Sequence, residues 1–89
     1  MKTSYKVKYS KKSVKFIKSN KIIGIKFFEA FDKIASNPLN VEKYDIKQLK
    51  NSENFRLRIS KYRAIFSFEN KELIIKVIDI GSRGQIYKN

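Results

Sequence analysis

The sequence contains no cysteine and no histidine, and these two absences exclude several kinds of chemistry. Without cysteine the chain can form neither a disulfide bond nor a thiolate, and zinc sites built from cysteine and histidine are excluded as well. Without histidine it lacks the side chain that usually carries protons near neutral pH. No apolar run approaches the ~20 residues of a membrane-spanning helix. We therefore expect no metal site, no cofactor and no membrane association.

Acidic residues are also scarce, with 8 against 21 basic residues and a net charge of +13 in 89 residues. This excess is larger than solubility requires, and it predicts an anionic partner: nucleic acid or an acidic protein, in preference to a membrane surface. Residues 1–26 hold nine lysines and no acid. Such a run is ordinarily a solvated face, but this one is long enough to follow a phosphate backbone. Lys11 and Lys15 are its predicted nucleic-acid contacts.

Hydrophobic residues make up 42% of the chain, which is enough for one packed core and predicts a single domain over residues 1–89. The N-terminal segment has lysines but no continuous apolar stretch, so a signal peptide is not expected. We therefore predict a cytoplasmic protein.

The first half of the chain predicts one strand and two helices. Residues 4–9 alternate apolar and basic side chains, which indicates a strand, and Ser10 then offers a helix N-cap. Apolar residues at helical spacing predict a first helix over 13–19 and a clearer second helix over 22–36, which Pro38 ends.

The second predicted helix has two apolar surfaces. Its main face should enter the core, and a second flank is wide enough to be covered by a partner. Gly24 lies early in this helix and is expected to weaken it. The core face comprises Ile23, Phe27, Ala30, Phe31 and Ile34, and the second flank comprises Ile22, Ile25 and Phe28.

The second half predicts a connecting loop with at most one turn of structure, followed by three strands. Residues 39–54 are polar and irregular. Residues 55–68 form two predicted strands that reverse at Ser60 and Lys61, and residues 72–80 form a third. The predicted fold is therefore α+β, in the order β-α-α-β-β-β, with two helices packed on a twisted, mainly antiparallel sheet.

All the arginines of the chain lie in this second half, whereas every other cation is lysine. An arginine presents a planar, permanently charged fork that suits phosphate. If the reversal is centred between Ser60 and Lys61, Arg58 lies directly opposite Arg63. Two like charges paired across strands are destabilising. A fold that keeps such a pair is therefore expected to place an anion between them.

The order and spacing of several short motifs resemble the RelE/ParE superfamily of bacterial and archaeal toxins. These motifs are Leu49-Lys50, Arg56-Leu57-Arg58, Lys61-Tyr62-Arg63 and Ile80-Gly81-Ser82-Arg83, followed by Tyr87. The resemblance covers the whole chain and implies the toxin of a type II toxin–antitoxin system. It also implies a cognate acidic, RelB-like antitoxin and a hetero-oligomeric complex. RelE-type members cut messenger RNA in the ribosomal A site without a metal, by attack of a ribose 2′-hydroxyl on the adjacent phosphate.

The resemblance also assigns roles to residues of this chain. Arg63 and Arg83 would stabilise charge in the transition state, with Arg58 as a further catalytic residue, and Tyr87 would move the 2′-proton. The remaining predicted RNA-binding residues are Arg56, Lys50 and Lys61.

This chain departs from the family pattern at three places, one of which is Ser82, where many relatives have histidine. RelE itself has lysines where Arg56 and Arg58 stand, and arginine hardly ever gives up a proton. The family's Leu-x-Gly is here Leu49-Lys50-Asn51. Two alternatives therefore stay open: a ParE-type inhibitor of DNA gyrase that cleaves nothing, or a catalytically silent module that binds nucleic acid or an antitoxin.

Overall fold

The computed structural model describes residues 4–82, which form a five-stranded sheet, two α-helices and one short 3₁₀ helix. The elements in chain order are β1 (Lys6–Tyr9), α1 (Lys11–Ser19), α2 (Lys21–Ser36), the 3₁₀ helix (Pro38–Lys43), β2 (Asp45–Gln48), β3 (Phe55–Ile59), β4 (Tyr62–Glu69) and β5 (Ile74–Ser82).

The strands lie in the order β1-β5-β4-β3-β2. Strand β1 runs parallel to β5, and all other neighbours are antiparallel. The predicted α+β class, with two helices on a mainly antiparallel sheet, is therefore confirmed.

The prediction of a loop with at most one turn of structure over residues 39–54 missed a strand. This segment contains the 3₁₀ helix and the edge strand β2, which pairs antiparallel with β3. The strand has only one apolar residue, Ile46, so its sequence shows no clear alternation. Pairing with the arginine-bearing strand β3 gives it its conformation, and this contact is invisible in the local sequence.

The core lies between α2 and the sheet. Phe27, Phe31 and Ile34 of α2 are fully buried, which confirms the predicted core face. They pack in one hydrophobic cluster with sheet residues such as Leu57 and Phe66.

Ser10 begins α1 as predicted, and its neighbour Ser13 fixes the helix to the sheet. The Ser10 hydroxyl accepts a hydrogen bond from the Ser13 backbone N–H at 3.1 Å and donates to the Ile78 carbonyl at 2.7 Å. The buried Ser13 hydroxyl donates to the Val77 carbonyl at 3.3 Å. These bonds fix the start of α1 against β5.

Gly24 is a helix–helix contact, not only a weak helix former. A Cβ atom added at this residue would lie 2.9 Å from the Ile17 Cα and 3.1 Å from the Ile17 carbonyl oxygen. These are backbone atoms of α1, which cannot move aside without shifting the helix. Glycine is therefore required for α1 and α2 to approach this closely.

We expect Gly24→Ala to destabilise the protein even though alanine is the better helix former. Overpacking typically costs ~1–3 kcal/mol, whereas the gain in helix propensity is only ~1 kcal/mol. The melting temperature should fall by ~4–8 °C for each net kcal/mol in a domain of this size. Thermal melts followed by circular dichroism, with the exposed α2 variant Lys26→Ala as control, test this. A higher melting temperature for Gly24→Ala would contradict the close contact.

Candidate nucleic-acid interface

Three arginines lie on the sheet face that points away from the helices. Side chains alternate along a strand. Leu57 and Ala64 are fully buried in the core, so Arg56 and Arg58 on β3, and Arg63 on β4, point to the opposite face. We call Arg56, Arg58 and Arg63 the arginine face.

Arg58 and Arg63 are direct cross-strand partners, which confirms the register predicted from the reversal at Ser60 and Lys61. Ser60 has a positive φ of 58° and so turns the chain sharply between β3 and β4. On the other side of Arg63, its partner on β5 is Gly81, which has no side chain. The row therefore places two guanidinium groups on adjacent strands, beside a buried glycine.

An intramolecular anion contacts the arginine face. Asp45 on β2 is the cross-strand partner of Arg58. Its Oδ2 accepts a hydrogen bond from Arg58 Nε at 2.8 Å, and its Oδ1 accepts one from Arg56 Nη2 at 3.1 Å. Desolvation alone would raise the pKa of Asp45, but the charges and hydrogen bonds of the two arginines outweigh it and lower that pKa. The carboxylate is therefore ionised at neutral pH.

The two arginines bound by Asp45 differ in exposure. The Arg56 side chain is 9% exposed, whereas the Arg58 side chain is 48% exposed. Arg58 is therefore open to an external phosphate, while Arg56 acts in this conformation mainly as a buried anchor for Asp45. Direct RNA contact by Arg56 stays a prediction.

Lys61 lies at the same end of the sheet as the arginine pair. It occupies the turn between β3 and β4, and its Nζ is 5.8 Å from the ring centre of Tyr62. Tyr62 points to the helix side, where its ring contacts Phe16 of α1 edge to face at 5.6 Å. The lysine is exposed and adds positive charge next to Arg58 and Arg63.

The structure does not bring three other predicted RNA-binding residues to the arginine face. Lys11 and Lys15 lie on α1, which packs on the helix side of the sheet. Lys50 lies in the turn between β2 and β3, at the opposite end of β3 from Arg58. The position of a lysine in the sequence does not show whether it will lie on the helix side or on the open side of the sheet. RNA contact by these lysines, if made, would involve a separate surface.

Two predicted catalytic residues, Arg83 and Tyr87, lie outside the described residues. The chain leaves β5 at Ser82, which pairs with Tyr62 beside the Arg63–Gly81 pair. Within residues 4–82 there is no cluster of acids suited to a metal ion. No helix in the same part of the chain is long and apolar enough to cross a membrane.

The sequence of this chain matches the model of a known protein family. The family model of the ParE toxin of type II toxin–antitoxin systems matches residues 7–87. The chain belongs to the RelE/ParE toxin family. A putative toxin RelE1 from Methanocaldococcus jannaschii is 38% identical to this family member over 65 residues, which is 72% of each chain.

Solved structures of RelE/ParE toxins have the same fold. A chain of the RelE–RelB complex from Pyrococcus horikoshii OT3 is 31% identical, with a TM-score of 0.76, covering 92% of this chain and 98% of that one. A chain of the RelBE2 toxin–antitoxin complex from Mycobacterium tuberculosis is 18% identical, with a TM-score of 0.72, covering 93% and 95%. At this lower identity the second likeness shows the fold alone.

The departure from the family's Leu-x-Gly motif has a structural explanation. Asn51, which replaces the glycine, has a φ of 57°, in the left-handed region that glycine adopts most easily. Asparagine is among the side chains that tolerate this region best. The turn between β2 and β3 therefore keeps the conformation that glycine would allow.

Proposed function

We propose that this chain is the toxin of a toxin–antitoxin pair, a single domain over residues 1–89 that acts in the cytoplasm and cuts messenger RNA on the ribosome. A ribose 2′-hydroxyl attacks the adjacent phosphate, so that a 2′-O–P bond forms and the P–O5′ bond breaks. The 2′-proton passes to a base, and the departing 5′-oxygen receives a proton. The products are a 2′,3′-cyclic phosphate and a 5′-hydroxyl end.

In this scheme guanidinium groups supply the positive charge. Arg58, Arg63 and Arg83 hold the reacting phosphate and stabilise the negative charge that grows on it in the transition state. Tyr87 takes up or relays the 2′-proton. Tyrosine ordinarily titrates near ~10, and guanidinium groups beside it would favour its phenolate form. Arginine binds phosphate well but hardly exchanges protons, so Tyr87 carries the acid–base role.

The observation that carries the proposal is the pairing of Arg58 with Arg63 on adjacent strands. Two like charges placed opposite each other destabilise a sheet, and Asp45 offsets this only from the β2 side of Arg58, so an anion bound by both arginines would offset the repulsion that remains. Arg58 is half exposed, which leaves it accessible to such an anion. A phosphate of RNA matches the charge and the planar fork of both side chains.

Primer extension on a translated message, with and without ribosomes, tests the proposal. Purified protein should produce cuts within codons only when ribosomes are present. Intact message in both reactions, from protein that is folded by circular dichroism, would refute the endonuclease activity.

A second candidate function is inhibition of DNA gyrase, because the family model that matches this chain is described as ParE toxin. A ParE-type toxin binds gyrase and cleaves nothing itself. Adding the purified chain to gyrase and measuring supercoiling separates the two functions. Loss of supercoiling with intact messenger RNA would favour the ParE-type activity.

We also propose that a cognate acidic antitoxin, RelB-like, neutralises this toxin in a hetero-oligomeric complex. The 31% identical Pyrococcus protein was solved as a RelE–RelB complex, which supports a partner of this kind. The α2 apolar flank, comprising Ile22, Ile25 and Phe28, is 82%, 54% and 53% exposed. Exposed lysines flank it at residues 21 and 26. An amphipathic helix with acidic edges fits this surface.

We expect Ile25→Asp to weaken antitoxin binding by ~10-fold or more, because an unpaired carboxylate would be buried in an apolar contact. Binding measured by calorimetry at increasing salt should also weaken for the wild-type protein. Leu39→Asp is the matched control, since Leu39 is 72% exposed and lies beyond the C-terminal end of α2. Affinity that does not change with salt would contradict the electrostatic contribution.

A further inference from the structure

The Asp45 carboxylate joins two arginines with different surroundings. One oxygen contacts the buried Arg56, and the other contacts the exposed Arg58. The Arg56 contact holds the carboxylate from the protein side. Asp45, itself held by Arg56, therefore holds the exposed guanidinium of Arg58 in one place.

Asp45 uses only one edge of the Arg58 fork. Arg58 Nε donates to Asp45 Oδ2 at 2.8 Å, and Arg58 Nη2 lies 2.8 Å from the same oxygen. Asp45 does not use the Nη1 group. Because the guanidinium is planar, fixing its Nε edge also fixes the direction of its outer N–H groups.

Without this support Arg58 would be poorly placed. Its direct cross-strand neighbour is Arg63, and the two cations repel each other. A long, unrestrained side chain would turn away from this neighbour into solvent. The ion pair with Asp45, on the other side of Arg58, opposes that movement.

We propose that Asp45 is a positioning residue, which fixes the Arg58 guanidinium beside Arg63 so that both bind one phosphate group of the RNA. This inference rests on the proposed endonuclease function. Asp45 does not leave when RNA binds, since Arg56 still holds it, and the phosphate takes the outer edge of Arg58. The carboxylate also offsets part of the repulsion between the arginines in the free protein.

The test compares the wild-type protein with Asp45→Asn in single-turnover cleavage on programmed ribosomes. The maximal rate should fall by ~10–100-fold, as for other residues that orient a functional side chain. The protein concentration that gives half the maximal rate should not rise, because removing a carboxylate adds net positive charge and favours RNA binding. A wild-type rate for Asp45→Asn would overturn the proposal, and so would a loss seen only in the half-maximal concentration.

Glu69→Gln is the matched control for the change in charge. It removes the ion pair between Glu69 and Lys76, whose atoms lie 3.3 Å apart at the far end of β4 from Arg63. It also changes the net charge by the same amount as Asp45→Asn. Its cleavage rate should match the wild type, and an equal loss in both variants would overturn a specific role for Asp45.

A double variant tests whether Asp45 acts through Arg58. In an Arg58→Ala background, Asp45→Asn should cause no further loss of rate, because the side chain that it positions is already absent. If the fold-loss in rate of the double variant equals the product of the two single-variant losses, Asp45 acts independently of Arg58, and the proposal is overturned.

The arginine Nε–H signals in ¹⁵N NMR spectra provide a readout that does not depend on activity. In the wild-type protein, the Arg58 signal should be sharp and should shift when RNA with a 2′-deoxy substitution is added. Asp45→Asn should broaden or average it. An Arg58 signal unchanged by Asp45→Asn would overturn the positioning role even if cleavage fell. If the wild type cleaves no message, the endonuclease function fails, while this signal still decides whether Asp45 fixes Arg58 for phosphate.

Discussion

Replacing Arg63 with alanine is expected to lower ribosome-dependent cleavage by ~10²–10³-fold, the usual effect of removing one donor that stabilises a transition state. Arg63 lies on the interior strand β4, between Arg58 on β3 and Gly81 on β5. No other side chain of this cross-strand row can replace it, because Gly81 has none and Arg58 already makes its own contact with the phosphate in the proposed site. The cleavage rate is measured by quantitative primer extension.

Two further variants separate the roles of charge and shape at this residue. Arg63→Lys keeps the charge but loses the planar fork, so its rate should lie between those of wild type and Arg63→Ala. Lys33→Ala removes one cation from the exposed surface of α2 and should cleave like the wild type. All variants should give the same circular dichroism spectrum. Full cleavage by Arg63→Ala would refute the role of this arginine.

The register of the arginine pair was predictable because it depends on local geometry. The reversal at Ser60 and Lys61 is short, so strand alternation alone determines that Arg58 faces Arg63. The core face of α2 was predictable for the same reason, since helical periodicity alone determines which residues share a side.

The support for Arg58 could not be predicted because it depends on a distant contact. Asp45 lies in a segment that resembles a polar loop, and β2 becomes a strand only through its pairing with β3. From the sequence alone, Asp45 therefore cannot be distinguished from an ordinary acidic residue on the surface. The register between β2 and β3 gives Asp45 its role, and the intervening residues 49–54 are too irregular to reveal that register.

The distribution of the lysines over the fold could not be predicted for a related physical reason. Net charge and charge density are properties of the linear chain, whereas a binding surface is a property of one face. Lys61 lies near the arginines because it occupies the turn that joins their two strands. Lys11, Lys15 and Lys50 belong to other elements, and their distribution depends on how those elements pack.

The largest expected effect on stability comes from Phe66→Ala. Phe66 is fully buried on the interior strand β4, and its ring centre lies 5.1 Å from that of Phe31 on α2. The rings of Phe55 and Phe68 lie 5.7 and 5.6 Å away. Replacing a buried phenylalanine with alanine typically costs ~3–5 kcal/mol, against ~5–15 kcal/mol for the whole stability of a native protein. Urea denaturation should therefore show a strongly lowered midpoint.

Phe28→Ala is the matched control for this prediction. Phe28 is 53% exposed and stacks on Tyr9 with ring centres 6.0 Å apart, so much less apolar area is lost. The Phe28→Ala substitution should lower the free energy of unfolding by less than ~1 kcal/mol, as is usual for exposed residues. Equal costs for the two variants would contradict the placement of the core. The same measurements distinguish two causes of lost cleavage. Phe66→Ala would lose activity because it unfolds, whereas Arg63→Ala should lose activity with its fold intact.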